Sequence, residues 1–289
     1  MFQSVPQIIE FMEKYPIKKS EYDLLRNKYI RLHKRNKDLV ESLYYAESVQ
    51  RGILPSERHL ARLFKDYFIL YQPQLIISGD LYWVGSKDDI KYFAVGDCTG
   101  HGISGAMLSI MALSYLNYII LAKNITDVSE ILKELDKKWI EAFHQGIEKG
   151  YDNDWMEIGI CSYNEKSQLL KFSGAYNKLI IISNSGKIME LETNKFPIGG
   201  WQVEKERNYI SQSVFVERGS MCYLFTDGFR DQFGGDKSKR FTAKRFKSLL
   251  SFASSYSSIA QLDIIRGELE KWKGKQQQTD DICVLGIRL

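Results

Sequence analysis

From Glu57 onward the chain is a run of short apolar strands, most of which follow one another too closely for a helix to fit between them. The strand-like segments are Tyr67–Tyr71, Leu81–Val84, Tyr92–Val95, Glu157–Tyr163, Leu169–Ser173, Leu179–Ser183, Tyr209–Val216, Met221–Phe225 and Ile282–Ile287. Asn184, Ser185 and Gly186 form a turn signal after one of them. Helical periodicity falls in two separate pairs, Ile103–Lys123 with Thr126–Lys149 and Thr242–Ser251 with Ser258–Trp272. Parallel strands need a crossover connection, usually a helix, between each neighbour, and this order does not supply it. The expected class is α+β, with antiparallel sheets and helices packed outside them.

A length of 289 residues allows one large domain, or one domain with an appendage. Hydrophobic residues at 44% and charged residues at 26% exclude wholesale disorder. A net charge of +4 is too mild to argue for a nucleic-acid partner. The four cysteines, Cys98, Cys161, Cys222 and Cys283, lie far apart and form no CxxC pair, which argues against a zinc site and a disulfide framework. The first residues, MFQSVPQIIEFMEK, contain no apolar core of a secretory signal. Gly105–Ala122 carries no charge and approaches the length of a membrane span, but Ser109, Ser114 and Asn117 interrupt it. It reads as a buried helix, so the expectation is a soluble, cytoplasmic chain without a membrane span.

The first fifty-odd residues follow a different rule. Ser20 caps a helix with Asp23 three residues on, a weak capping box. A 3/4 alternation then runs to Ile53, just before Pro55. One seam is apolar (Leu25, Leu32, Leu39, Ala46, Ile53), and the other is mixed (Tyr22, Tyr29, Asn36, Leu43, Gln50). Two readings stay open: a coiled coil whose register Asn36 would fix, making a homodimer, or an amphipathic helix lying on its own domain. The basic residues along it read as a solvated face. The division expected is residues 1–54 as a helical regulatory or dimerisation segment and 55–289 as the main domain.

The chemistry-bearing signal is where aspartate falls. IISGDLYW, YFAVGDCTGHG and MCYLFTDGF each deliver an Asp (Asp80, Asp97, Asp227) from an apolar strand, and QQQTDDICVLGI carries Asp280 and Asp281 into one. A carboxylate at a buried strand end costs several kcal/mol, by about the usual magnitude, unless paired or bound to a cation. The plain reading is ordinary Asp turns; the other is a shared counter-charge. Oxygen-only ligands would select a hard ion, Mg²⁺ or Mn²⁺. No GxxxxGK loop is present, so the DxxG of Asp97–Gly100 does not build a nucleotide switch.

These residues, together with FSGAYNKL, FPIGG and LFTDGFRDQFGG, occur in the order found in metal-dependent (type 2C, PPM-type) protein serine/threonine phosphatases. The chain resembles the bacterial branch that contains the stage II sporulation phosphatase and the stress sigma-factor regulators, and AESVQRGILP is similar to the element that introduces that domain. The resemblance implies a four-layer α-β-β-α sandwich with two Mn²⁺ or Mg²⁺ ions per subunit at one end of paired sheets. By motif, Asp97 would bridge both ions and the Cys98 carbonyl would ligate one. Asp227 and Asp280 would complete the second, and Asp80 would bind directly or through water. Asp281 is the lesser candidate of its pair.

The implied reaction is hydrolysis of phosphoserine or phosphothreonine on a partner protein, with water activated between ions about 4 Å apart. In this branch partners are anti-sigma-factor antagonists or similar signalling domains. Asp97 and Asp227 are the implied catalytic residues. His101 reads either as a proton donor to the leaving oxygen or as a loop histidine with a structural hydrogen bond. The stretch before Asp80 lacks the phosphate-holding Arg of eukaryotic members, so affinity is expected from docking a folded partner. The alternative function is an inactive phosphatase-fold binding module in a partner-switching pathway. A regulatory protein is expected to act through the N-terminal helix and the Ser56–Phe64 helix on the Asp80 strand.

Overall fold

In a computed structural model of the chain, residues 19–143, 153–201 and 207–289 are described. Two compact units are present, 1–47 and 48–289. Helix α1 (Lys19–Ile53) occupies the described part of the first and ends in the second. Along it Leu25, Leu32 and Leu39, the positions of the apolar seam, are all exposed.

The second unit contains two antiparallel sheets. One has the order β1 (Asp66–Gln72), β13 (Ile282–Arg288), β10 (Met221–Phe225), β6 (Leu179–Ile182), β7 (Ile188–Leu191). The other runs β2 (Asp80–Lys87), β3 (Ile90–Cys98), β4 (Trp155–Asn164), β5 (Leu169–Ala175), β9 (Gln212–Phe215), with β8 (Ile198–Gly199) beside β4. Each strand's side chains alternate between two faces, so each sheet has an apolar face for its partner and one for helices. Val95, Phe93, Cys161, Phe172, Leu224 and Leu285 fill the seam between the sheets.

Helix α2 (Glu57–Leu63) precedes β1, and the Ser56 side chain caps it by accepting from the His59 N–H at 3.3 Å. Helices α3 (Ile103–Leu116) and α4 (Val128–Phe143) cover the outer face of the β2–β3–β4 sheet with Ala112, Leu113, Leu116, Leu132 and Trp139. Helices α6 (Ala243–Ala253) and α7 (Ser258–Lys273) cover the other with Phe246, Leu250, Ile265 and Leu269. The short helix α5 (Gly228–Asp231) and the hairpin of β11 (Phe233–Gly234) and β12 (Lys239–Arg240) lie between β10 and α6. This is the four-layer α-β-β-α order.

Two details depart from the sequence expectation. The helix expected over Ile103–Lys123 is α-helical only to Leu116 and continues as a π-helical turn over Asn117–Ala122. The Trp83 indole N–H of β2 donates to Asn117 Oδ1 at 2.9 Å, and the Lys123 N–H reaches the Tyr118 carbonyl at 2.7 Å, five residues back. Anchoring one side chain to the sheet widens the helix there, as insertions into a helical ladder do. The segment is long and apolar enough to cross a membrane, yet Leu116, Ile119 and Ile120 are wholly buried in the core against the sheet. The second departure is that β7, β8, β11 and β12, of two to four residues each, had no legible run. Residues 144–149 of the helix expected over Thr126–Lys149 lie outside the described residues.

All four cysteines are free and buried. Burial in apolar surroundings pushes their thiols above the ordinary range.

Candidate active site

The register of three strands sets out a row of carboxylates. Asp80 on β2 lies directly across from Asp97 on β3, and Asp97 lies directly across from Glu157 on β4. Residues directly opposite in antiparallel strands point to the same side. Here that side is the seam, because Val84, Val95 and Cys161, at even spacing along the same strands, belong to the inter-sheet core. The facing sheet completes the group: Asp227 follows β10, and Asp280 and Asp281 precede β13. Residues distant in sequence thus meet at one end of the sandwich.

Backbone packing holds the loops together. A Cβ on Gly105, at the start of α3, would stand 2.4 Å from the Gly100 carbonyl and 2.9 Å from Gly79 Cα, so the loops flanking β2 and β3 close against the helix only with glycine there. On the other sheet, a Cβ on Gly228 would sit 1.9 Å from the Asp281 carbonyl oxygen, which locks the Asp227 turn against the Asp280–Asp281 segment.

The two adjacent aspartates behave differently. Asp281 is buried, and its two oxygens accept from the Gln74 N–H at 2.6 Å and the Gly79 N–H at 2.7 Å. Its carboxylate is committed to holding the loop ahead of β2. Asp280 is exposed and accepts only the Asp281 N–H, at 2.8 Å, among the hydrogen bonds recorded for its side chain.

Asp80 is fully buried, and its carboxylate receives one hydrogen bond among the described residues, from the Thr226 hydroxyl at 2.7 Å. Among the described residues neither Asp80 nor Asp97 forms an ion pair. Burial holds Asp80 well above the usual carboxylate range, and the Asp97 charge adds to it. Burial does the same to Asp97, reinforced by Asp227, Asp280 and Glu157. Burial raises Asp227 as well, opposed by Arg230; the Asp280 carboxyl, on an exposed residue but turned partly out of water, is also raised, and His101, exposed on the loop after β3, opposes that rise. Burial, followed by the Asp227 charge, pushes Glu157 up to about 7.

Glu157 was not among the residues singled out from the sequence. Its signal was present: a charge inside an otherwise apolar strand, MEIGICSYN, where a half-buried strand tolerates no unpaired carboxylate without cause. Recognising it required the register with Asp97.

No three side chains of His, Cys, Asp or Glu among the described residues close tightly enough to enclose an ion. The array is open and all-oxygen, and among the described residues no ion pair neutralises Asp80 or Asp97. That suits a hard cation that keeps several of its own waters and takes one or two carboxylates, as Mg²⁺ does, better than a zinc cage.

The sequence pattern of the family described as Stage II sporulation protein E (SpoIIE) matches residues 88–289. Curated protein sequences give no match. Among solved structures, the SiaA-PP2C domain of Pseudomonas aeruginosa is similar at 29% identity and TM-score 0.80, over 88% of this chain and 98% of that one. The PP2C phosphatase domain of SpoIIE from Bacillus subtilis shares the fold at 15% identity and TM-score 0.62, over 77% of this chain and 63% of that one. RsbX, solved in complex with magnesium, shares it at 17% identity and TM-score 0.52, over 77% of this chain and 94% of that one. With the family pattern covering most of the chain and the carboxylate row at the end of a four-layer sandwich, the chain belongs to the SpoIIE family of PP2C-type protein phosphatase domains.

Proposed function

We propose that this phosphatase is metal-dependent and hydrolyses phosphoserine or phosphothreonine on a partner protein. The carrying observation is the row Asp80–Asp97–Glu157, in which Asp80 and Asp97 have no ion pair among the described residues, with Asp227 and Asp280 carried on the facing sheet. Asp97, Asp227 and Asp280 would hold two Mn²⁺ or Mg²⁺ ions, with Asp80 and the Cys98 carbonyl beside them. Such ions neutralise phosphoryl oxygens and bring the pKa of water towards neutrality. The magnesium in RsbX supports that choice of ion.

The chain's own residues set the stage. Thr226, hydrogen-bonded to Asp80 Oδ2, fixes that carboxylate's direction. Asp281 fixes the Gly79 backbone and so the start of β2. His101, exposed on the loop after β3, would be the donor to the departing serine or threonine oxygen; its electrostatic influence on Asp280 supports that reading.

Regulation would enter through α1. In its last turns Gln50 is buried, and its side-chain amide donates to the Ser78 carbonyl at 2.7 Å and to Ser109 Oγ at 2.9 Å. The Ser78 N–H donates back to Gln50 Oε1 at 3.1 Å. One side chain thus grips both the residue two before Asp80 and the helix over the site, which gives a regulatory protein a handle on the metal centre. The exposed Leu25, Leu32 and Leu39 seam favours a homodimer of α1 helices. The partner substrate would be a small phosphorylated signalling domain of the anti-sigma-factor-antagonist kind, and the protein would work in the cytoplasm.

The test is Mn²⁺-dependent phosphate release from a phosphoserine peptide and from p-nitrophenyl phosphate, with Asp97→Asn and Asp227→Asn compared by calorimetric metal titration. Turnover lost together with metal binding, in variants that keep their circular dichroism, is the expected result. An absence of turnover by the unmodified protein at saturating metal would instead favour the binding-module alternative.

A further inference from the structure

A groove of about 610 Å³ runs over the outer face of the sheet that carries Asp227, between the β6–β7 edge and α6. Its floor is apolar, from Ile180 and Phe225. Its rim is cationic: Lys178 from the β6 side, Lys244 and Lys247 from α6, and Arg230 from α5. Among the described residues the one acidic residue in the lining, Glu190, is paired with Lys247. Lys178 also has an acidic neighbour, Glu192 at 3.1 Å, a pair exposed enough to exchange freely with another anion. Lys244 and Arg230 form no ion pair among the described residues.

Arg230 ties the groove to the site. Phe225 in the floor and Arg230 on the rim flank Asp227 in the chain, two residues before it and three after, and Arg230 is half-buried. A chain laid along the groove passes beside the turn that carries Asp227, and a phosphate on that chain would meet the Arg230 guanidinium there. Guanidinium is the side chain best matched to phosphoryl oxygens. The stretch before Asp80 supplies no arginine for this purpose.

We infer that this groove docks an acidic segment of the phosphoprotein substrate, with Asp or Glu residues flanking the phosphorylated serine or threonine. The inference rests on the phosphatase reading above and deepens it by naming the class of sequence selected. Charge complementarity commits the groove to this occupant: a basic or neutral segment would leave Lys244 and Arg230 without an anion and would gain only the small apolar floor. Attraction of this kind acts through exposed groups, so salt weakens it.

The test uses the full chain and two labelled phosphoserine peptides that differ only in flanking residues, acidic in one and basic in the other. Fluorescence anisotropy without added metal reads binding apart from turnover. The acidic peptide is expected to bind about tenfold more tightly, the sum of a few exposed charge pairs. Lys244→Glu with Lys247→Glu should reduce that preference to within about twofold, and 0.5 M salt should erode it in the unmodified protein. Lys271→Glu, an exposed reversal on α7 outside the groove, controls for net charge and should preserve the preference. Equal binding of the two peptides, or a preference that survives the double reversal, overturns the docking proposal. Failure of the phosphatase reading shows elsewhere, as no phosphate released from either peptide when Mn²⁺ is added.

Discussion

Strands β2, β3 and β4 have two unlike halves. Through their middle, Val84, Phe93, Val95 and Cys161 face the other sheet and form a dry core. At one end the same face, two residues beyond Val95 and four beyond Val84 and Cys161, carries Asp97, Asp80 and Glu157. Nothing in the backbone marks the change, since the pairing continues in register across both halves. The apolar half provides stability and rigidity. The acidic half costs stability, because its charges are gathered before any cation arrives. A rigid scaffold is what allows that repulsion to be held in place rather than relaxed by unfolding the strand ends.

The contrast can be broken from either half. Asp97→Asn should lower phosphatase turnover by about a thousandfold, the scale of losing a main electrostatic group at a reacting centre, while the melting temperature without metal stays level or rises. A lower melting temperature would mean that Asp97 contributes to folding. Phe172→Ala does the opposite. It empties a fully buried position in the seam and should cost about 3–4 kcal/mol in denaturant unfolding, with metal affinity of the folded fraction unchanged.

Asp280 and Asp281 sharpen the comparison at a single peptide bond. Asp281→Ala removes the acceptor of two backbone amides and should destabilise the chain by about 2–3 kcal/mol. Asp280→Ala should leave stability intact and weaken Mn²⁺ binding in calorimetry. If the two variants exchange these effects, the assignment of roles is reversed.

The smallest effect is on pH dependence. Asp80, Asp97, Asp227, Asp280 and Glu157 all hold protons more tightly when folded than when unfolded. Their contribution to stability is therefore present below the ordinary carboxylate range and is lost as pH rises through the folded values, which for Glu157 is about 7. The metal-free melting temperature should fall by a few degrees, roughly, between pH 5 and pH 8. Added Mg²⁺ should restore it more at pH 8 than at pH 5.

Much of this was legible in the sequence where the physics is local. Asp80, Asp97 and Asp227 announced themselves because a charge after an apolar run is visible in one dimension. The longer strands and the two helix pairs followed from periodicity. Glu157 was missed because its meaning lies in a cross-strand neighbour sixty residues away. The separate fates of Asp280 and Asp281 depend on which backbone amides come within reach, and no spacing encodes that. The π turn at Asn117 depends on Trp83 from another element. Lys178, Arg230, Lys244 and Lys247 looked like unrelated surface charges until β6, α5 and α6 were brought side by side.

Cys98 follows the central aspartate directly in the chain, yet its sulfur is sealed in the core and held protonated. A thiol in that state is a poor nucleophile and a poor target for electrophiles. Incubation of the native protein with iodoacetamide or mild peroxide should therefore leave phosphate release intact, which would set this phosphatase apart from those that attack phosphorus through sulfur and make oxidative stress an ineffective way to silence it.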